Sequence, residues 1–109
     1  MARKQKESNV SDHIKLELSK RGCKIFRSQV GLFYTQYGDH IYVGIKGESD
    51  LHGHRPDGTA FYIESKTPIG KARPEQIRFI DAMKKSNALA GFARSVDDAL
   101  KIVFPEEYE

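Results

Sequence analysis

Three residues stand out by type and spacing: Asp50, Glu64 and Lys66. Glu64 and Lys66 are two apart, so on a strand both side chains point to the same face. Asp50 lies upstream, across the turn signal Arg55-Pro56-Asp57-Gly58. There Pro presets one dihedral and Gly accepts a positive φ. A hairpin through that turn brings Asp50 close to Glu64, and two carboxylates and an ammonium converge. Phosphodiester hydrolysis needs such a set. Hard cations such as Mg²⁺ take oxygen ligands, so Asp50 and Glu64 can hold one, helped by the Ser65 carbonyl. The metal polarises phosphoryl oxygens and lowers the pKa of a bound water. Lys66 can orient that water or offset charge in the transition state. Two close carboxylates otherwise repel, which gives a cation there a purpose. An isolated Glu-x-Lys more commonly faces solvent on an edge strand, so its neighbours matter.

Other residues invite competing readings. His40, His52, His54 and Cys23 suggest zinc, but no second closely spaced Cys/His pair exists and Cys23 is remote in sequence. His52 and His54 are expected to be exposed near the site, where they can touch phosphate. Lys71 and Arg73 flank the site loop and are the best candidates for a DNA-facing patch, with Arg78, Lys84 and Lys85 on the following helix. Phe33, Tyr34, Tyr37 and Tyr42 could be core, a surface between copies or a DNA platform; core is expected for at least half of them. Cys23 is expected to be buried packing, and Asp57 a turn residue. No Gly-rich phosphate loop and no Ser-His-Asp pattern is present, so no nucleotide cofactor is expected.

The elements that must position these groups follow from periodicity. A helix is expected over 7–21, with Val10, Ile14 and Leu18 on one face and Leu16 widening it. Gly22 is its stop. Strand-like runs follow at 23–28, 32–37 and 41–45, with a turn at 37–40, then a short extended piece at 48–52. After the Pro-Asp-Gly turn comes a strand over 59–66, completing a β-meander and hairpin. Pro74 suits the first turn of a helix reaching about Lys85, with Ile77, Ile80 and Lys84 along one side. A buried strand is expected at 88–93, then a helix capped by Ser95 and ended by Pro105. The order is that of a mixed α/β sandwich around a central sheet.

The chain has 109 residues, enough for one ordinary core. Residues 1–6 are expected to be a flexible basic start and 7–109 one domain. Apolar residues make up 39% and charged residues 30%, a globular balance that argues against disorder. No apolar run approaches a bilayer span, and no apolar segment follows the basic start, so neither membrane insertion nor a secretory signal is expected. One cysteine precludes an intrachain disulfide and fits a reducing cytoplasm. A net charge of +3 permits a polyanionic partner without demanding one.

Several spaced motifs occur together in order. They read Gly47-Glu-Ser-Asp50-Leu-His-Gly53, then Gly58-Thr-Ala-Phe-Tyr-Ile-Glu64-Ser-Lys66-Thr-Pro-Ile-Gly70-Lys71, Pro74-Glu-Gln76-Ile-Arg-Phe79-Ile80 and Ala90-Gly-Phe-Ala-Arg94-Ser95. With Leu18 to Arg27 and Gly31 upstream, the series resembles the virus-type replication-repair nuclease (VRR-NUC) domain in its small, phage-type form, a branch of the PD-(D/E)XK nuclease superfamily. The resemblance implies a restriction-endonuclease-like α-β-β-β-α-β-α core with a central mixed sheet flanked by helices. It implies a Mg²⁺- or Mn²⁺-dependent endonuclease with Asp50 and Glu64 as metal ligands and Lys66 as the catalytic lysine. It places Gln76 on the site-lining helix and an acidic residue on the first helix, where Glu7 fits best and Glu17 is the rival. Ser11 departs from the glutamine of that pattern, and Ser49 stands where a proline is common. Small stand-alone members imply a homodimer cutting branched, Holliday-junction-like DNA in the cytoplasm, that of the host if phage-encoded.

Overall fold

The computed structural model describes residues 7–108, so the basic start at 1–6 lies outside the described residues. Helix α1 spans Glu7–Lys20. Val10, Ile14 and Leu18 recur every four residues and are at most 1% exposed. That stripe faces the core, whereas Leu16, expected to widen it, points to solvent at 53% exposure. A step of two from Ile14 turns a side chain roughly 200° around a helix, away from the stripe.

Four strands form the central sheet in the order β1-β4-β5-β6: β1 (Lys24–Arg27), β4 (Leu51–His54), β5 (Ala60–Ser65) and β6 (Leu89–Ala93). The first three run antiparallel, and β6 returns parallel to β5 after helix α2 (Pro74–Lys85). Helix α3 (Val96–Val103) follows, with the Ser95 hydroxyl accepting the Asp98 N–H at 3.1 Å as the expected N-cap. Without β2 and β3 the order is α-β-β-β-α-β-α around a mixed sheet, as the motifs imply.

Among the described residues, strands β2 (Gly31–Tyr34) and β3 (His40–Val43) pair only with each other in a two-stranded ribbon, not in a continuous meander. Phe33, Tyr34, Tyr37 and Tyr42, expected largely in the core, are 44%, 65%, 83% and 56% exposed. Strand propensity foretold the local structure correctly, but it does not say which sheet a strand joins.

Alternation along the sheet sorts its faces. Leu51, Phe61 and Ile63 turn to one side, where they meet Val10, Ile14, Leu18, Ala99 and Val103 of α1 and α3. The opposite face carries Phe26, His52, Tyr62 and Glu64. There Phe79 of α2 meets the Tyr62 ring edge-on at 5.7 Å. The buried side of α2 is Gln76, Phe79 and Ile80; Ile77 is 44% exposed. Only three-residue and four-residue steps from Gln76 share its face, which leaves Ile77 outside. Arg55 pins the β4–β5 turn to the C-terminus: it donates to the Val103 carbonyl at 3.0 Å, pairs with Glu106 at 2.9 Å and lies 5.0 Å over the Phe104 ring.

Asp57 takes its expected turn role by accepting the Thr59 N–H at 3.0 Å. Cys23 is buried as expected, and that burial raises its thiol pKa. Alkylation of Cys23 should therefore be slow in the native protein and fast in denaturant, read by mass spectrometry. Phe61→Ala should cost about 3–5 kcal/mol in urea unfolding.

Candidate active site

The register builds the site. Pairing of Leu51 with Ile63 sets Asp50, just before β4, across from Glu64 near the end of β5. The Asp50 N–H donates to Glu64 Oε2 at 3.1 Å. The next residue answers in kind: the Ser65 N–H donates to Asp50 Oδ1 at 2.8 Å, and the Ser65 hydroxyl donates to Asp50 Oδ2. Gln76 Nε2 donates to Glu64 Oε1 at 3.1 Å, while Gln76 Oε1 accepts the Arg73 N–H at 3.0 Å. Gln76 thus joins the start of α2 to Glu64. Lys66 Nζ lies 4.0 Å from Glu64 Oε1.

Glu64 and Lys66 are 4% and 5% exposed. The solvent-facing alternative is thereby overturned, because β5 is an interior strand. Lys66 extends its ladder by donating its N–H to the Ala93 carbonyl at 2.9 Å. Burying two such groups is costly unless each is paired and hydrogen-bonded.

Asp50, Glu64 and Gln76 line a cleft of about 400 Å³, whose other walls include Tyr42, Lys46, Glu48, Arg73 and Glu75. Gly47, at φ +85°, brings the loop before Asp50 against α2: a Cβ there would lie 2.3 Å from the Glu75 carbonyl oxygen. Any other side chain would push this wall off the helix.

The remaining expected site residues are scattered. Arg73 lines the cleft; Lys71 is exposed on the same loop but does not line it. His52 is less exposed than expected. It is half-buried, stacked between Phe26 (5.6 Å) and Tyr62 (6.4 Å), with Nδ1 2.7 Å from the Ser28 hydroxyl. An aromatic position facing two rings is better satisfied by stacking than by solvent. His54 is exposed, 3.0 Å from the Arg55 carbonyl. The Glu7 side chain lies outside the described residues. Glu17 pairs with Lys20 at 3.2 Å and does not line the cleft. Sequence reasoning missed the Ser65 hydroxyl, Lys46, Glu48 and Glu75. Arg94, whose motif position carries no expected role, donates to the Thr67 and Gly70 carbonyls at 2.6 and 2.5 Å, which holds the loop after Lys66.

Among the described residues no three His, Cys, Asp or Glu side chains gather in a metal-holding group. A caged ion does not fit that donor set, but Mg²⁺ does, since it keeps several waters and takes one or two carboxylates plus phosphate oxygens. Asp50, Glu64 and the Ser65 carbonyl would hold it, all hard oxygen donors.

The chain is similar to a solved structure described as "VRR_NUC domain", with TM-score 0.66 and 21% identity over 94% of this chain and 97% of that one. The fold is that of a VRR-NUC domain, a mixed sheet flanked by helices. No protein-family model and no curated protein matches the chain. Among the described residues no helix is long and apolar enough to cross a membrane.

Gln76→Ala should destabilise the fold by about 1–3 kcal/mol in denaturant titration, since buried partners lose their hydrogen bonds. Gln76→Glu sets a third carboxylate against Glu64. It should cost more at neutral pH, and the excess should shrink as acid protonates the pair.

Proposed function

We propose that the chain is a divalent-metal-dependent DNA endonuclease acting on branched DNA as a homodimer. One observation carries this reading: Asp50 and Glu64 meet across two interior strands, with the Lys66 ammonium 4.0 Å from Glu64, beside an open cleft. The fold likeness to a VRR-NUC domain supports it. So does the donor chemistry, which suits Mg²⁺ or Mn²⁺.

A bound ion would supply Lewis-acid polarisation of the scissile phosphate and a more acidic water. The chain's own groups do the rest. Asp50 and Glu64 fix the place of reaction through backbone-anchored carboxylates. Lys66 offsets the negative charge that two acids and a phosphate bring together, and it orients the attacking water. Gln76 holds the Glu64 carboxylate in register with α2. Arg73, at the cleft wall, and Lys71, on the exposed loop, attract the DNA backbone. Two copies would present two sites to the two strands of a junction. A buried, unreactive Cys23 suits a reducing cytoplasm.

A second reading is a DNA-binding module without catalysis. It is favoured by Asp50, whose two carboxylate oxygens both accept hydrogen bonds from Ser65. Incubation of branched and linear DNA with Mg²⁺ or Mn²⁺, beside a chelator control, separates the two. Cutting should need metal, favour branched DNA and fall at least about 100-fold in Asp50→Ala, Glu64→Ala and Lys66→Ala. Binding with no cutting under either metal would establish the module instead. Arg73→Ala should weaken binding and lower the slope of log affinity against log salt by about 0.9 if it contacts one phosphate.

A further inference from the structure

Three rings stand in a row across the sheet, on the face that carries Glu64. Phe26 of β1 lies 5.6 Å from His52 of β4 with the planes 27° apart, and His52 lies 6.4 Å from Tyr62 of β5 at 25°. Register explains the row, since Phe26 pairs with His52 and His52 with Tyr62. Phe79 of α2 closes one end edge-on. The other end stops at β1, the edge strand of the sheet. There Phe26 is 53% exposed, while its neighbour Ile25 is buried. One face of the Phe26 ring is given to His52, and among the described residues no other ring stacks on it. The row therefore ends on an open aromatic face.

This open end adjoins the cleft. Ser28 lies two residues beyond Phe26, a step of roughly 6.8 Å along a strand. Its hydroxyl is 2.7 Å from His52 Nδ1, its N–H donates to the Asp50 carbonyl at 2.8 Å, and it lines the cleft. Two residues the other way, Lys24 shares the face of Phe26. Lys24 is exposed and has no carboxylate partner among the described residues. Cleft, ring and free ammonium thus follow one another along β1. A nucleic-acid strand offers matching groups in that order: a phosphate, a base and the next phosphate. Stacking on a ring suits any base, because every base has a π-face. Within a duplex both faces of a base are covered by its neighbours, so only an unpaired or extruded base can join the row. An ammonium on one side and the cleft on the other favour such a ligand over an apolar peptide.

We infer that Phe26 stacks on the base of an unpaired nucleotide next to the phosphate in the cleft, with Lys24 on the phosphate beyond. The inference rests on the proposed function and deepens it. It gives the site a physical reason to prefer branch points, where unpaired bases occur, over plain duplex.

Binding of single-stranded oligonucleotides, with metal chelated so that nothing is cut, tests this. Phe26→Ala should weaken single-strand binding by about 5- to 150-fold, the range that one base–aromatic stack carries. Binding to duplex of the same length should stay nearly unchanged. Phe26→Tyr keeps the ring and should keep the affinity, whereas Phe26→Leu keeps apolar bulk alone and should lose it. An abasic site moved along the oligonucleotide should cost wild type as much at one position and cost Phe26→Ala nothing more there. Should the alanine variant fail to fold, the abasic scan on wild type decides alone. No single-strand binding by wild type, a scan without a sensitive position, a Phe26→Leu chain that binds like wild type, or equal losses on single strand and duplex would each overturn the stack. A Phe26→Ala chain that sediments at lower mass than wild type would also overturn it and make the ring a contact between copies. The two readings fail separately. A chain that stacks bases but never cuts sinks only the nuclease, and a chain that cuts with no abasic-sensitive position sinks only the stack.

Discussion

The site depends on holding two carboxylates side by side in the wall of a sheet. Taken out of water without partners, each would be neutralised or would unfold its surroundings. The chain meets this cost with fixed donors. Asp50 gives its own N–H to Glu64, and Ser65 gives its N–H and hydroxyl to Asp50. The donors and acceptors are neighbours on paired strands, so the arrangement needs no long side chain to be ordered. Hydrogen bonds to charged groups contribute roughly 1.5–3 kcal/mol each, which is enough for a few of them to offset partial burial. The register of β4 on β5 is therefore a chemical requirement as well as a structural one. A slip of one residue would turn Glu64 into the apolar core and Ile63 into the cleft.

The two faces of the sheet divide the work. One is sealed by α1 and α3 over Leu51, Phe61 and Ile63. The other is covered by α2 near β5, while β1 and β4 carry Phe26 and His52 in a ring stack that runs on to Tyr62 and Phe79. Phe26 at the end of this stack is 53% exposed. The cleft opens where cover by α2 begins, so Glu64 borders solvent-accessible space while its own surface stays dry. An interior strand supplies rigidity, and the helix start supplies Gln76 and Arg73.

Much of this was legible in the sequence, for physical reasons. The Pro-Asp-Gly turn fixes a hairpin locally, and a two-residue period fixes which side chains share a face; together they place Asp50, Glu64 and Lys66. The helices show in the four-residue recurrence of Val10, Ile14 and Leu18 and in the Pro74 and Ser95 starts. What the sequence hid is non-local. Leu32 to Tyr34 reads as a strand whether it joins the central sheet or leaves it, and its apolar side chains suit a core or an interface equally well. The Ser65 hydroxyl was invisible because serine bonds locally in so many settings. His52 read as a phosphate contact because nothing in the text reveals that Phe26 and Tyr62 flank it.

The crossover from β5 to β6 shows how the parts are made to agree. Lys66 ends one strand, and Arg73 opens the helix that must set Gln76 on Glu64. The segment between them contains Pro68 and Gly70 and could by itself take many shapes. Arg94, at the end of β6, closes that freedom by holding the Thr67 and Gly70 carbonyls. The Lys66 N–H is meanwhile held by the Ala93 carbonyl, one residue before Arg94. Both attachments come from β6 and the residue that follows it, beyond the crossover in chain order. Lys66 is thus positioned by the return of the chain, not by its own strand alone. A change at Arg94 would then act on the site through the 67–73 loop rather than through the carboxylates, whose bonds to Ser65 and Gln76 do not involve it.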